Sequence, residues 1–100
     1  MDSDNDVLEK ELLDLSFNDT WNVVFHNDNR TSMEFVVFLL EHVFKKGKTE
    51  AYTLMLKVHN EGMAIIQSYS NFEVADEKKN DCLKLAKVNG FTEFRASVQQ

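Results

Sequence analysis

The chain has 100 residues, a net charge of −6 and one cysteine. That length fits a single domain, large enough to bury roughly two-thirds of its unfolded surface without cross-links, and Cys82 alone cannot close an intramolecular disulfide. The longest apolar run, FVVFLL at 35–40, falls far short of the ~20 residues that cross a bilayer, and acids stand where a signal peptide would carry lysines, so a cytoplasmic or organelle-stromal protein without membrane association is expected.

The charge is unevenly placed. Residues 1–19 hold seven acids and one base, whereas the rest holds ten of each. The whole net charge therefore sits on an N-terminal extension with too few apolar groups to offset its ordering entropy, and 1–19 are expected to form a mobile tail ahead of a core domain at 20–100. Within the tail Val7, Leu8, Leu12 and Leu15 could share one face of a helix too short to be stable alone. The neutral core carries no basic stripe, which argues against nucleic-acid binding.

After the tail, TWNVVFHN alternates Trp21, Val23 and Phe25 as a strand does. A helix is predicted from about Ser32 to Lys46, with Thr31 as N-cap, Glu34 closing a capping box, and Met33, Val36, Val37, Leu40, Val43 and Phe44 on one face. A second helix, from about Glu50 to Asn60 and capped by Thr49, gathers Ala51, Tyr52, Met55, Val58 and His59. MAIIQSY reads as a strand, about Phe72 to Asn89 as a third helix built on Ala75, Cys82, Leu83, Leu85 and Ala86, and FTEFRASV as a last strand. Gly47, Gly62 and Gly90 follow the periodic stretches and suit left-handed helix stops. The order β-α-α-β-α-β is satisfied most simply by an α+β domain, a three-stranded sheet with helices on one face.

Met33 and Val36 begin the first helix, while Met55, Val58 and His59 share a face of the second. If those helices are neighbours, the side chains line one small cavity, apolar at its base, with Asn27, Asp28 and Asn29 at its mouth. On spacing alone the same residues also read as ordinary core and turn chemistry.

The stretches WNVVFHNDNRTSMEFVVFLLEHVF, EAYTLMLKVHNEGMAII and EVADEKK, in order across residues 21–90, resemble the ClpS family, adaptors that pass N-degron proteins to the Clp ATPase and protease. The resemblance implies three helices on a three-stranded antiparallel sheet, an architecture shared with the ribosomal stalk protein's C-terminal domain. It implies a monomeric, non-enzymatic adaptor without cofactor or metal, whose partners are N-degron proteins and the N-terminal domain of a Clp AAA+ ATPase. By position, Asn27, Asp28 and His59 would bind the substrate's α-ammonium. Asn29, Thr31, Met33, Val36, Met55, Val58 and Phe94 would enclose its first side chain, selecting Leu, Phe, Tyr or Trp, and Glu73 and Lys78 would dock on the ATPase. Three departures are visible: Ser32 replaces a proline usual at the helix start, Asn29 stands where many members have a second Asp, and the hairpin SYSNFEV is one residue longer than the common form. Phe38 falls among Glu34, Glu41 and Lys45, where a charge is expected. Two alternatives remain at this level: a small hydrolase or metal site using His26, Asp28 and His59, and an interaction module of stalk-like architecture without amino-terminal recognition.

Overall fold

The computed structural model describes residues 20–100, so the extension expected over 1–19 lies outside the described residues. Six elements follow in chain order: β1 (Trp21–His26), α1 (Met33–His42), α2 (Lys48–Glu61), β2 (Met63–Tyr69), α3 (Phe72–Val88) and β3 (Arg95–Gln99). The strands form one antiparallel sheet in the order β2-β1-β3. The expected β-α-α-β-α-β architecture is therefore present.

Register explains which side of the sheet is core. Phe25 lies opposite Ala64 and Ala96, and Val23 opposite Val98, so these side chains share the face on which the helices pack. A bulge at Val23/Val24 leaves Ile66 without a cross-strand partner; Ile66 keeps the inward face of Ala64 two residues before it and is buried, while its neighbour Gln67 accepts a hydrogen bond from Lys46 Nζ at 2.5 Å. Phe25 is fully buried and meets Phe44 and Phe94 edge to face, with ring centroids 5.9 and 5.0 Å apart. Such pairs add about 0.5–1.5 kcal/mol each beyond their burial. Under α3, Ala75, Cys82 and Ala86 form a stripe of small buried residues. Burial pushes the Cys82 thiol up to about 12, a value to which Asp81 adds, which keeps it protonated and unreactive at neutral pH.

Several local expectations are corrected. The N-cap of α1 is Ser32, whose Oγ accepts from Phe35 N–H at 3.1 Å, because Thr31 spends its hydroxyl on Asp28 instead. The residue in place of the family's proline is thus itself the cap, and no capping box through Glu34 forms. α1 stops at His42, earlier than predicted, and the left-handed residue beyond it is Lys45 (φ 58°), not Gly47. Gly47 is the N-cap of α2 at φ −70°, and α2 begins at Lys48 without the predicted Thr49 cap. Gly62 and Gly90 do take positive φ, 90° and 86°. Periodicity also missed Phe35 and Leu39, both buried, and placed the exposed Tyr52 on the core face of α2. Phe38 is half-exposed and stacked between Phe35 and His42, with centroids 5.8 and 5.0 Å away. β3 begins only at Arg95: a turn after α3 sends Phe91 against Phe35 and Phe94 against Phe25, so neither belongs to the strand.

Candidate functional site

The turn between β1 and α1 is built around one carboxylate. Asp28 Oδ1 accepts from the backbone N–H of Arg30 at 2.8 Å and of Thr31 at 2.7 Å, and Oδ2 accepts from the Thr31 hydroxyl at 2.8 Å. Partial burial pushes the Asp28 carboxyl up, but the Thr31 and Arg30 N–H groups, the Thr31 hydroxyl and the charge of Arg95 outweigh it, so its pKa lies below the ordinary carboxylate value. An ionised carboxylate offers about four acceptor sites. Three are used within the turn, which leaves Oδ2 able to accept once more.

Asn27 is held by its backbone. Its N–H donates to Gly62 O at 2.9 Å, and its carbonyl accepts from Arg95 Nη2 at 3.2 Å. Gly62 is the left-handed C-cap of α2, its own N–H donating to Val58 O at 3.0 Å. The end of α2 is thereby tied to the end of β1. That link carries His59, in the last turn of α2, to the same cavity as Asn27 and Asp28.

The cavity has a volume of about 380 Å³ and is lined by Asn27–Met33, Val36, Met55, Val58 and His59. Its size is at the lower end of the ~300–1,000 Å³ common for ligand sites. Val36, Met55 and Val58 are buried and make an apolar floor; Met33, 45 % exposed, stands at the lip. Other cavities of about 270–520 Å³ exist, so volume does not single this one out; the convergence of acceptors over an apolar floor does.

Nine of the ten residues predicted for amine and side-chain binding line this cavity. Phe94 does not: it is buried against Phe25 and borders a separate cavity with Leu83, Ala86, Lys87, Phe91 and Thr92. Arg30 and Ser32 line the cavity and were not anticipated, although their position directly after the Asn-Asp-Asn triplet was the available signal. His26 is not brought to the cavity; its Nε2 lies 2.8 Å from Ser97 Oγ across the sheet, and burial, then Arg95, lowers its pKa. The constellation His26, Asp28, His59 is therefore not assembled. Among the described residues no group of three or more His, Cys, Asp or Glu could hold a metal ion, and no helix is long and apolar enough to cross a membrane.

Glu73 lies exposed in the first turn of α3. Lys78, one and a half turns on, reaches toward Val43 O at 3.5 Å and lines a cavity of about 390 Å³ with His42, Val43, Lys45, Asp81, Lys84 and Leu85. This second cavity lies between the end of α1 and α3, and cations dominate its lining.

The sequence model of the family "ATP-dependent Clp protease adaptor protein ClpS" matches residues 17–95. The ClpS adapter of Lawsonia intracellularis is 39% identical over 80 residues, which is 80% of this chain and 72% of the relative. That of Vibrio atlanticus is 41% identical over 85 residues, 85% and 79% of the two chains. The solved structure of Agrobacterium tumefaciens ClpS2 bound to L-phenylalaninamide is similar with a TM-score of 0.76 at 25% identity, covering 81% of this chain and 95% of that one. The fold, the turn and the length of these matches agree: this chain belongs to the ClpS family of ATP-dependent Clp protease adaptor proteins.

Proposed function

We propose that this protein is a non-catalytic adaptor that binds proteins beginning with Leu, Phe, Tyr or Trp and delivers them to a Clp AAA+ ATPase for degradation. The observation that supports this reading most directly is the cavity itself, where Asn27, Asp28 and His59 converge over the apolar floor of Val36, Met55 and Val58. The ligand of the Agrobacterium relative, L-phenylalaninamide, combines a free α-amino group with an aromatic side chain. These are the two features that such a cavity suits.

An α-amino group, with a pKa of ~7.7–8.0, is largely cationic at neutral pH and donates in three directions. In this reading Asp28 Oδ2 supplies charge, Asn27 a side-chain oxygen and His59 a ring-nitrogen lone pair. The first side chain enters between Met33 and the floor. Burying an aromatic group of ~150–250 Å² at ~25 cal/mol/Å² contributes roughly 4–6 kcal/mol before association costs, so small and charged residues are disfavoured. Asn29 and Thr31 close the sides.

Glu73 and Lys78 are assigned to docking on the N-terminal domain of the ATPase, and residues 1–19, which carry the whole net charge, to substrate handover. No nucleic acid, membrane or cofactor enters the scheme, and a monomer in the cytoplasm or an organelle stroma suffices.

Titration with otherwise identical peptides beginning with Leu, Phe, Val or Arg tests the recognition step: Leu and Phe bind, Val and Arg do not. An interaction module without amino-terminal recognition would bind all four alike or none. Removing residues 2–17 is expected to leave peptide affinity intact and to stop degradation of an N-degron protein; undiminished degradation would remove the handover role.

A further inference from the structure

A second open cavity, of about 520 Å³, adjoins the proposed degron site. It shares Asn27, Asp28 and Asn29 with that site and adds Thr92, Glu93 and Arg95. Arg95 opens β3 opposite His26, and its Nη2 donates to Asn27 O at 3.2 Å, which holds the guanidinium beside the turn. Among the described residues Arg95 has no ion-pair partner. Its charge is felt at Asp28, whose pKa it helps to lower.

An extended peptide advances ~3.3 Å per residue. If Asn27, Asp28 and His59 hold the ammonium and the first side chain fills the apolar floor, the second residue lies one step from the Asn27–Asn29 turn that both cavities share. The bound ammonium neutralises Asp28. The charges that then remain along the two linings are Arg30 and Arg95 against Glu93, so the surface met by the following residue is net cationic. Asn29, lacking a carboxylate, does not reverse that balance.

We propose that this second cavity is the subsite for the second residue of the N-degron, and that Arg95 makes it prefer an acidic side chain there. The proposal rests on the function proposed above. Glu93 limits the preference, because it lies in the same lining as the guanidinium. Arg95 also steadies the carbonyl of Asn27, so its loss is expected to weaken every peptide somewhat, independently of the second residue.

The test is a titration of the full chain with four peptides alike except at the start: Phe-Gln, Phe-Glu, Phe-Lys and Ala-Gln. At ionic strength of about 0.1 M or lower, Phe-Glu is expected to bind about 2- to 5-fold tighter than Phe-Gln, the range for an exposed ion pair, with Phe-Lys weaker than both. Arg95→Gln should collapse the Glu/Gln ratio to about 1, Arg95→Glu should invert it in favour of Phe-Lys, and Glu93→Gln should widen it. Equal affinity for Phe-Glu and Phe-Lys in the unaltered protein, or a ratio unmoved by Arg95→Gln, would overturn the subsite while Phe-Gln binding still supports the degron site. Phe-Gln binding no better than Ala-Gln would overturn the degron reading itself, and the subsite with it.

Discussion

The two cavities at opposite ends of α1 are nearly equal in volume, about 380 and 390 Å³, and opposite in chemistry. Between the start of α1 and α2 the lining is a floor of Val36, Met55 and Val58 under an acceptor rim centred on Asp28. Between the end of α1 and α3 it is Lys45, Lys78 and Lys84 around one acid, Asp81. One ten-residue helix thus separates a place suited to a cation with an apolar side chain from a place suited to an anionic surface. An adaptor needs two such places that do not compete.

The largest expected effect separates building the rim from using it. Asp28→Ala removes three hydrogen bonds from the turn together with the charge proposed to face the ammonium. Affinity for a Phe peptide should fall by roughly 1.5–3 kcal/mol, and thermal stability should fall too. Asp28→Asn keeps an Oδ1 acceptor for the Arg30 and Thr31 N–H groups, so it should lose affinity with little loss of stability. Equal destabilisation by both variants would mean that Asp28 only builds the turn. Neither substitution should alter ATPase docking.

Acidity probes the rim next. Because the Asp28 pKa is depressed, the carboxylate stays ionised from pH 7 to 5; its contribution to stability is whole above the ordinary carboxylate value and is lost only as pH falls through the lower one. On account of Asp28, Phe-peptide affinity should hold between pH 7 and 5 and fall only as pH drops through the depressed Asp28 value. His59→Gln, which retains an acceptor, should keep more Phe-peptide affinity than His59→Ala.

Selectivity tests the lip of the same cavity. Met33→Ala should improve binding of Val and Ile peptides about tenfold, within the range for relief of one methylene's crowding, while Phe still binds. Its exposure means the protein should fold as before. A variant that unfolds would make Met33 a core residue.

The smallest effect belongs to the other cavity. Lys78→Glu should weaken binding to a Clp ATPase N-terminal domain about threefold, as exposed charge pairs do, and leave peptide affinity unchanged. A change in peptide affinity instead would show that the two cavities are coupled.

How far these features could be read beforehand differs along the chain. MAIIQSY matched β2 residue for residue, since its ends are marked by Gly62 and by the polar run after Tyr69. Asn27, Asp28, Met33, Val36, Met55, Val58 and His59 were all placed in one cavity on helical spacing and family resemblance together. What failed were choices between adjacent candidates. Thr31 and Ser32 can both cap a helix, and only the three-dimensional turn shows that Asp28 claims the threonine hydroxyl. Glycine's tolerance of positive φ makes Gly47 read as a helix stop, yet Lys45 adopts that conformation. Alternation puts Phe94 in the last strand and family resemblance puts it in the pocket, but the turn after α3 breaks that pattern and turns its ring into the core beside Phe25. The pairing of Arg95 with the Asn27 carbonyl spans 68 residues and left no local signal.

The account stands most directly on recognition of a free amino terminus. The deciding measurement compares two peptides identical except that one begins with Phe and the other with N-acetyl-Phe. Acetylation removes the cation and two of its three donors while leaving the aromatic side chain in place. The account predicts that the free peptide binds and the acetylated one shows no measurable binding. Equal affinity would mean that the cavity reads the side chain alone, and that Asn27, Asp28 and His59 hold no ammonium.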